Sequence, residues 1–139
     1  MNCERYHTLC RTVLYSHDAM GLGHMRRNIL IAQASAESHV NFTILLIAGV
    51  KEVGCFPLPE NVDCFMLLAY HKTLDGNYQS RNLDLEDYRL HELSENTIRF
   101  ALQSFKPDIV VNVVNDALGE LSPTLSYLKK RKKYDVFLG

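Results

Sequence analysis

Several features that would each point to a definite class of protein are missing from the sequence. The four cysteines, at positions 3, 10, 55 and 64, form no Cys-x-x-Cys pair or other zinc spacing, so we expect reduced, mostly structural thiols. No apolar run approaches the ~18 residues of a membrane span. The N-terminal residues also lack the apolar core of a signal peptide. These absences predict a cytoplasmic protein without a zinc site.

The chain also has no excess of charge of either sign, no internal repeat and no low-complexity segment. Lys and Arg number 15 against 16 for Asp and Glu, which gives no reason to expect nucleic acid as a partner. At 139 residues, 47% of them hydrophobic, the chain is long enough for one domain with its own core. It is too short for two domains of ordinary size, so a single globular domain is expected.

Apolar runs alternate with segments of helical periodicity. The runs predict buried strands at 12–17, 42–47, 62–68 and 109–114 and a fifth strand at 134–138, while helices are predicted at 25–38, 84–105 and 118–133. This alternation predicts an α/β fold with a Rossmann-like, doubly wound parallel sheet of about five strands. The residues predicted to line the buried helix faces are Met25, Ile29, Ala32 and Ala36, then Leu90, Leu93, Ile98, Ala101, Leu102 and Phe105.

Two connections in this layout bear on function. Residues 70–81 form a polar stretch of ~12 residues without predicted structure, either a mobile or a binding loop. His71 and Lys72 at its start are solvated loop residues or contacts to an acceptor. The last predicted strand is followed by no helix that would cover it, which suggests that the chain is cut from a longer protein.

The most informative stretch joins the first predicted strand to the first helix. An N-terminal helix end carries roughly +0.5 of a charge, so Arg26 and Arg27 in its first turn are unfavourable unless solvent or an anion offsets them. A phosphate-bearing ligand is one interpretation, and a tight turn at Gly21 and Gly23 with solvated arginines is the other. The polar residues of this connection are His17, Asp18, His24, Arg26 and Arg27.

Two common phosphate-binding patterns are not satisfied by these glycines. A dinucleotide fingerprint needs a third glycine where Arg26 stands, and a nucleoside-triphosphate loop needs Lys-Ser or Lys-Thr at a fixed spacing after its glycine. A nicotinamide or flavin site and an ATPase or kinase are therefore disfavoured, and no cofactor is expected.

The Gly-x-Gly-His-x-x-Arg core, Gly21 to Arg27, is accompanied by further landmarks in order. With them the chain resembles the N-terminal domain of predicted GT-B glycosyltransferases, related to the enzyme that adds N-acetylglucosamine to make lipid II. The likeness covers nearly all of residues 1–139 and implies the acceptor-side half of a two-domain enzyme, inactive without its C-terminal donor-binding domain. The later landmarks are the strand at 42–49, Phe56-Pro57-Leu58-Pro59, Asp75-Gly76 and Lys106-Pro107-Asp108.

The resemblance implies hexosyl transfer from a nucleotide-sugar donor to an acceptor that the motif does not name, without a metal. Gly21, Gly23 and His24 correspond to positions that approach the donor diphosphate or the acceptor, beside Arg26 and Arg27. Transfer also needs a base for the acceptor hydroxyl, and His17 or His24 is the candidate, since imidazole exchanges protons near neutral pH. A hydrogen-bonded loop histidine is the alternative for each.

A second loop, after the fourth predicted strand, adds Asp116 and Glu120. Family members have an aspartate, a proline and a glycine before the glutamate, whereas asparagine and alanine stand here at slightly different spacing and Glu120 matches. Both carboxylates are candidates for acid or base roles, and capping of the following helix is the alternative. The basic run at 129–133 is a solvated helix end or a weak contact with anionic membrane.

A function of another class stays open on the sequence. The same loop would serve a non-catalytic module that binds a phosphorylated ligand or a partner chain.

Overall fold

The computed structural model describes residues 9–17, 23–49 and 54–112, and the backbone of 135–138. The predicted helix at 118–133 lies outside these residues. The elements in chain order are β1 (Cys10–Ser16), α1 (Gly23–Ala36), β2 (Phe42–Ala48), β3 (Val62–Met66), β4 (Tyr70–Lys72), β5 (Tyr78–Ser80), α2 (Asp87–Phe105), β6 (Ile109–Asn112) and β7 (Asp135–Leu138).

Five strands form one sheet in the order β3-β2-β1-β6-β7, and all four neighbouring pairs are parallel. Val13 in the central strand β1 lies opposite Leu45 of β2 on one side and Val110 of β6 on the other. The chain builds outward from β1 to β3 and then crosses to the other side of β1. This is the strand order of a doubly wound Rossmann-like sheet, as the sequence predicts.

The two helices of the described residues cover opposite faces of the sheet. Successive strand side chains point to opposite faces, so Val13 of β1 packs in one cluster with Leu102 of α2, while Leu14 packs in another with Met25 of α1. Coverage on both faces explains why consecutive residues at 13–15 of β1 and 44–48 of β2 are apolar, rather than every second one.

Three predicted burial assignments are wrong in detail. The strand predicted at 62–68 ends at Met66 and is only half-buried, because β3 is the edge of the sheet and pairs with β2 alone. Ala36 is exposed at the end of α1. Leu93 is 45% exposed, because the stripe of α2 that faces the sheet runs instead through Leu90, Ser94, Ile98 and Leu102.

The polar stretch at 70–81 forms a β-hairpin rather than an unstructured loop. Strands β4 and β5 pair antiparallel, with Tyr70 opposite Ser80. Their turn is closed by the amide of Thr73 donating to the Asn77 carbonyl and the amide of Gly76 donating to the Thr73 carbonyl. Gly76 has φ of +85°, which explains the glycine after Asp75, a known hairpin signal.

The cysteines of the described residues, Cys10, Cys55 and Cys64, are free thiols. Burial raises the pKa of the Cys64 thiol, and the adjacent Asp63 carboxylate raises it further. Because the thiolate is the reactive form, Cys64 is expected to be a weak nucleophile at neutral pH. Cys3 lies outside the described residues.

The residue after α2 gives a stability prediction. Lys106 adopts a left-handed conformation, φ 52° and ψ 63°, while its amide donates to the Leu102 carbonyl. The left-handed conformation costs a residue with a side chain about 1–2 kcal/mol, and glycine avoids this cost. Glycine also makes the unfolded chain more flexible, which offsets about 0.4–1 kcal/mol of the stabilisation. We expect Lys106→Gly to raise the free energy of unfolding by roughly 0.5–1 kcal/mol in urea titrations.

Asn61, also left-handed at φ 62°, provides the matched control for this change. Asparagine adopts this conformation more readily than lysine, so Asn61→Gly is expected to gain less. Equal effects of the two substitutions, or a loss of stability in Lys106→Gly, would contradict the assignment.

Candidate functional site

The candidate site lies at the edge of the sheet where the parallel strands end. Ser16 is the last residue of β1, and His17 follows it. Gly49 follows β2, and Asn112 is the last residue of β6. Strands β1 and β6 flank the point where the winding of the sheet reverses. In open α/β sheets ligands bind outside the carboxyl ends of the strands at such a point.

The imidazole of His17 is held by the segment that follows β3. Its Nε2 lies 3.1 Å from the carbonyl oxygen of Leu68. A carbonyl only accepts hydrogen bonds, so Nε2 is the donor and carries a proton. The ring also packs on Tyr70, with 4.6 Å between centroids and planes inclined by 54°. These contacts fix the side chain at the carboxyl edge of the sheet.

Gly49 gives this ring the space it occupies. A Cβ atom built on Gly49 would collide with Cδ2 and Nε2 of His17. The surrounding backbone is pinned, since the Gly49 amide donates to the Ser16 carbonyl at 3.1 Å and the Leu67 amide donates to the Ala48 carbonyl at 2.8 Å. The position after β2 therefore has to be glycine if His17 is to lie there.

Tyr70 is itself held by a hydrogen bond to α2. Its hydroxyl donates a 3.0 Å hydrogen bond to Oγ of Ser94 on α2, and the two residues are 4% and 1% exposed. The ring of Tyr78 meets Tyr70 edge-on at 6.4 Å. The Tyr70 ring that packs on His17 is thus held in place by contacts with both α2 and the second strand of the hairpin.

Helix α1 begins at the same edge. It starts at Gly23, two residues before the predicted start, so Arg26 is its fourth residue and Arg27, its fifth, belongs to the second turn. Both arginines are exposed, and within the described residues neither forms a hydrogen bond or an ion pair. Helical side chains lean toward the helix N-terminus, so both arginine side chains lean toward this edge of the sheet. His24 is half-buried in this first turn.

Asn28 is a residue that periodicity did not single out. It is 2% exposed on the sheet-facing side of α1, and its Oδ1 has no hydrogen-bond partner among the described residues. A buried acceptor left unpaired costs about 1–3 kcal/mol, so this atom needs a donor from water or a ligand. A polar residue between Met25 and Ile29 was the available signal.

Not every predicted site residue falls in the described part of the chain. His17, Gly23 and His24 lie at one edge of the sheet, with Arg26 and Arg27 on the helix that begins there. Gly21, Asp116 and Glu120 lie outside the described residues, as does the basic run at 129–133. Their predicted roles stay predictions.

Residues 9–17, 23–49, 54–112 and 135–138 contain no group of three or more side chains suited to a metal ion. Within the same ranges, neither helix has the length and apolar character needed to cross a bilayer.

A cavity of about 380 Å³ lies at the opposite, amino edge of the sheet. Ser35, His39, Asn41, Glu60 and Asn61 contribute to its polar lining. It is separated from His17 by the length of the strands. None of the predicted site residues lines it.

The strand order and the reversal of winding between β1 and β6 define a Rossmann-like α/β domain. No protein-family model matches the chain, and no curated protein matches it. Among solved structures it is similar to a putative UDP-N-acetylglucosamine 2-epimerase from Listeria monocytogenes, a GT-B-like fold, with a TM-score of 0.50 and 14% identity over 93% of this chain. The chain spans 31% of the length of that protein. At this identity the likeness shows the fold alone.

Proposed function

We propose that this chain is the acceptor-side half of a GT-B glycosyltransferase that moves a hexosyl group from a nucleotide-sugar to an acceptor hydroxyl. The observation that carries the proposal is the juxtaposition of a held imidazole and a helix N-terminus at the switch point of a doubly wound sheet. The similarity to a GT-B-like protein named for a UDP-sugar supports it.

The reaction needs two kinds of group, and this edge offers both. The acceptor hydroxyl gives its proton to an imidazole while its oxygen bonds to the anomeric carbon of the donor sugar. The bond from that carbon to the diphosphate breaks, and the nucleoside diphosphate leaves with the electron pair. Free amides at the start of α1, with Arg26 and Arg27, would stabilise the negative charge on the departing group.

His17 is the preferred base of the two candidates. Its ring is fixed by Leu68 and Tyr70, and a held ring loses less conformational freedom when it meets the acceptor. His24, in the first turn of α1, would then contribute to binding beside Gly23. Gly21, Asp116 and Glu120 remain proposed contributors on the strength of the sequence alone.

Most of the donor site would belong to a second domain. In GT-B enzymes the nucleotide-sugar is held mainly by the C-terminal domain, and this chain spans 31% of the length of its GT-B-like neighbour. We therefore expect transfer only from the full-length protein. Coding sequence beyond Gly139 that specifies another α/β domain with a glycine-rich turn would support the proposal, whereas a stop codon there would favour the non-catalytic module.

The arginines provide a test of binding on the chain itself. We expect the double variant Arg26→Ala/Arg27→Ala to weaken binding of pyrophosphate and UDP about 10- to 100-fold, since hydrogen bonds to charged groups contribute about 1.5–3 kcal/mol. Calorimetry or an NMR titration would measure this. The melting temperature should stay the same or rise slightly, because cations near a helix N-terminus are unfavourable.

Arg89→Ala is the matched control, since Arg89 is an exposed arginine on α2, paired with Glu86 rather than placed at the site. Its affinity for both probes should equal that of the parent chain. Unchanged affinity in the double variant, or a marked fall in its melting temperature, would contradict the proposed role. Full-length protein that binds pyrophosphate but neither transfers nor hydrolyses UDP-, GDP- or TDP-sugars would favour the module instead.

A further inference from the structure

We propose that Gly49 and the Tyr70–Ser94 pair are positioning residues for His17, which hold its neutral ring with the proton on Nε2 and leave Nδ1 as the basic nitrogen. The further claim, that the Nδ1 atom takes the proton of the acceptor hydroxyl, rests on the proposed function. The positioning itself does not, because it is a property of the unliganded chain.

The tautomer follows from the chemistry of the partner. The Leu68 carbonyl has no proton to give, so at 3.1 Å Nε2 must donate. In a neutral imidazole one nitrogen carries the proton and the other a lone pair, so donation from Nε2 makes Nδ1 the atom that accepts. The backbone segment after β3 thereby decides which nitrogen is basic.

Gly49 makes this hydrogen bond geometrically available. The ring occupies the position of a missing Cβ, and the buried backbone around Gly49 is tied to β1 through the Ser16 carbonyl. Gly49 does not adopt a left-handed conformation, so alanine fits its backbone and conflicts only with His17. A single methyl group there would displace the ring from Leu68 without straining the main chain.

Tyr70 supplies the other boundary of the ring. Its ring packs on His17 in a tilted arrangement, with the planes inclined by 54°, and its hydroxyl donates a hydrogen bond to Ser94. Tyr70→Phe keeps the aromatic ring but removes its hydrogen bond to Ser94. The expected order of disturbance at His17 is therefore Gly49→Ala first, then Tyr70→Phe.

Imidazole NMR on the ¹⁵N-labelled chain tests this, with the His17 signals assigned by their loss in His17→Gln. At alkaline pH, with the ring in its neutral form, we expect His17 to show a protonated Nε2 and an unprotonated Nδ1. In Gly49→Ala the Nε2 proton should exchange with water at least about tenfold faster, the loss expected for one hydrogen bond. Tyr70→Phe should give a smaller acceleration.

Gly54→Ala is the matched control, because a Cβ on Gly54 meets nothing within 4 Å. It should leave the His17 signals unchanged. A proton on Nδ1 in the parent chain overturns the proposal whether or not any variant folds, and so does unchanged exchange in a folded Gly49→Ala. Since no ligand is present, these results are independent of nucleotide-sugar binding, and failure to transfer sugar would leave the assigned tautomer standing.

Discussion

Replacing His17 with glutamine is expected to lower the rate of sugar transfer by the full-length protein about 100- to 10,000-fold, the usual contribution of a positioned general base. Glutamine keeps much of the size and a hydrogen-bond donor for Leu68 but cannot take the acceptor proton. Affinity for the donor should change little, because the phosphate contacts proposed here come from α1. Steady-state kinetics at saturating donor would measure the loss in kcat.

Two other histidines make this experiment specific. His39 is exposed at the amino edge of the sheet, so His39→Gln should leave kcat unchanged. His24 belongs to the first turn of α1, and His24→Gln is expected to affect substrate affinity more than kcat. A loss of kcat confined to His24→Gln would assign the base to His24 and contradict the role given to His17.

Leu102→Ala is expected to reduce the free energy of unfolding by about 2–5 kcal/mol, a large part of the stability of a domain of this size. Leu102 is fully buried on α2 and packs in one cluster with Val13, Ile47 and Val110 of the three central strands. Truncation leaves a cavity between helix and sheet that neighbouring side chains fill only in part. Urea denaturation followed by circular dichroism would measure the change.

Leu93→Ala is the corresponding control on the same helix. Leu93 belongs to the predicted buried face but is 45% exposed, so its truncation should cost less than about 1 kcal/mol. Equal losses for the two variants would mean that α2 is rotated relative to the packing described above. The pair thus tests the orientation of the helix as well as its burial.

The central part of the fold is predictable because its sequence pattern is local. Strands β1 and β2 are buried on both faces, so their apolar runs identify them without knowledge of their neighbours. Strand β3 has a similar run, yet its burial depends on its place at the sheet edge, which no local pattern encodes. Leu93 is misplaced for a related reason, since the small polar Ser94 faces the sheet where a leucine was expected.

The candidate site divides in the same way. His17, His24 and the two arginines lie in one short stretch of sequence, whose local pattern is enough to identify them as candidates. Gly49 and the residues that hold His17 come from distant segments, with Leu68 separated from His17 by 51 positions and Tyr70 from Ser94 by 24. Such contacts follow from the strand order, which brings the ends of β1, β2 and β3 together.

The close approach of Gly49 to His17 also constrains how this domain can diverge. A side chain at position 49 and an imidazole at position 17 exclude each other sterically, although a helix and a strand separate them along the chain. Sequences that share this fold should therefore exchange the two residues jointly, pairing glycine with histidine or a larger residue at 49 with a smaller one at 17. In an alignment of such sequences, covariation between columns 17 and 49 would reveal which of them retain the imidazole.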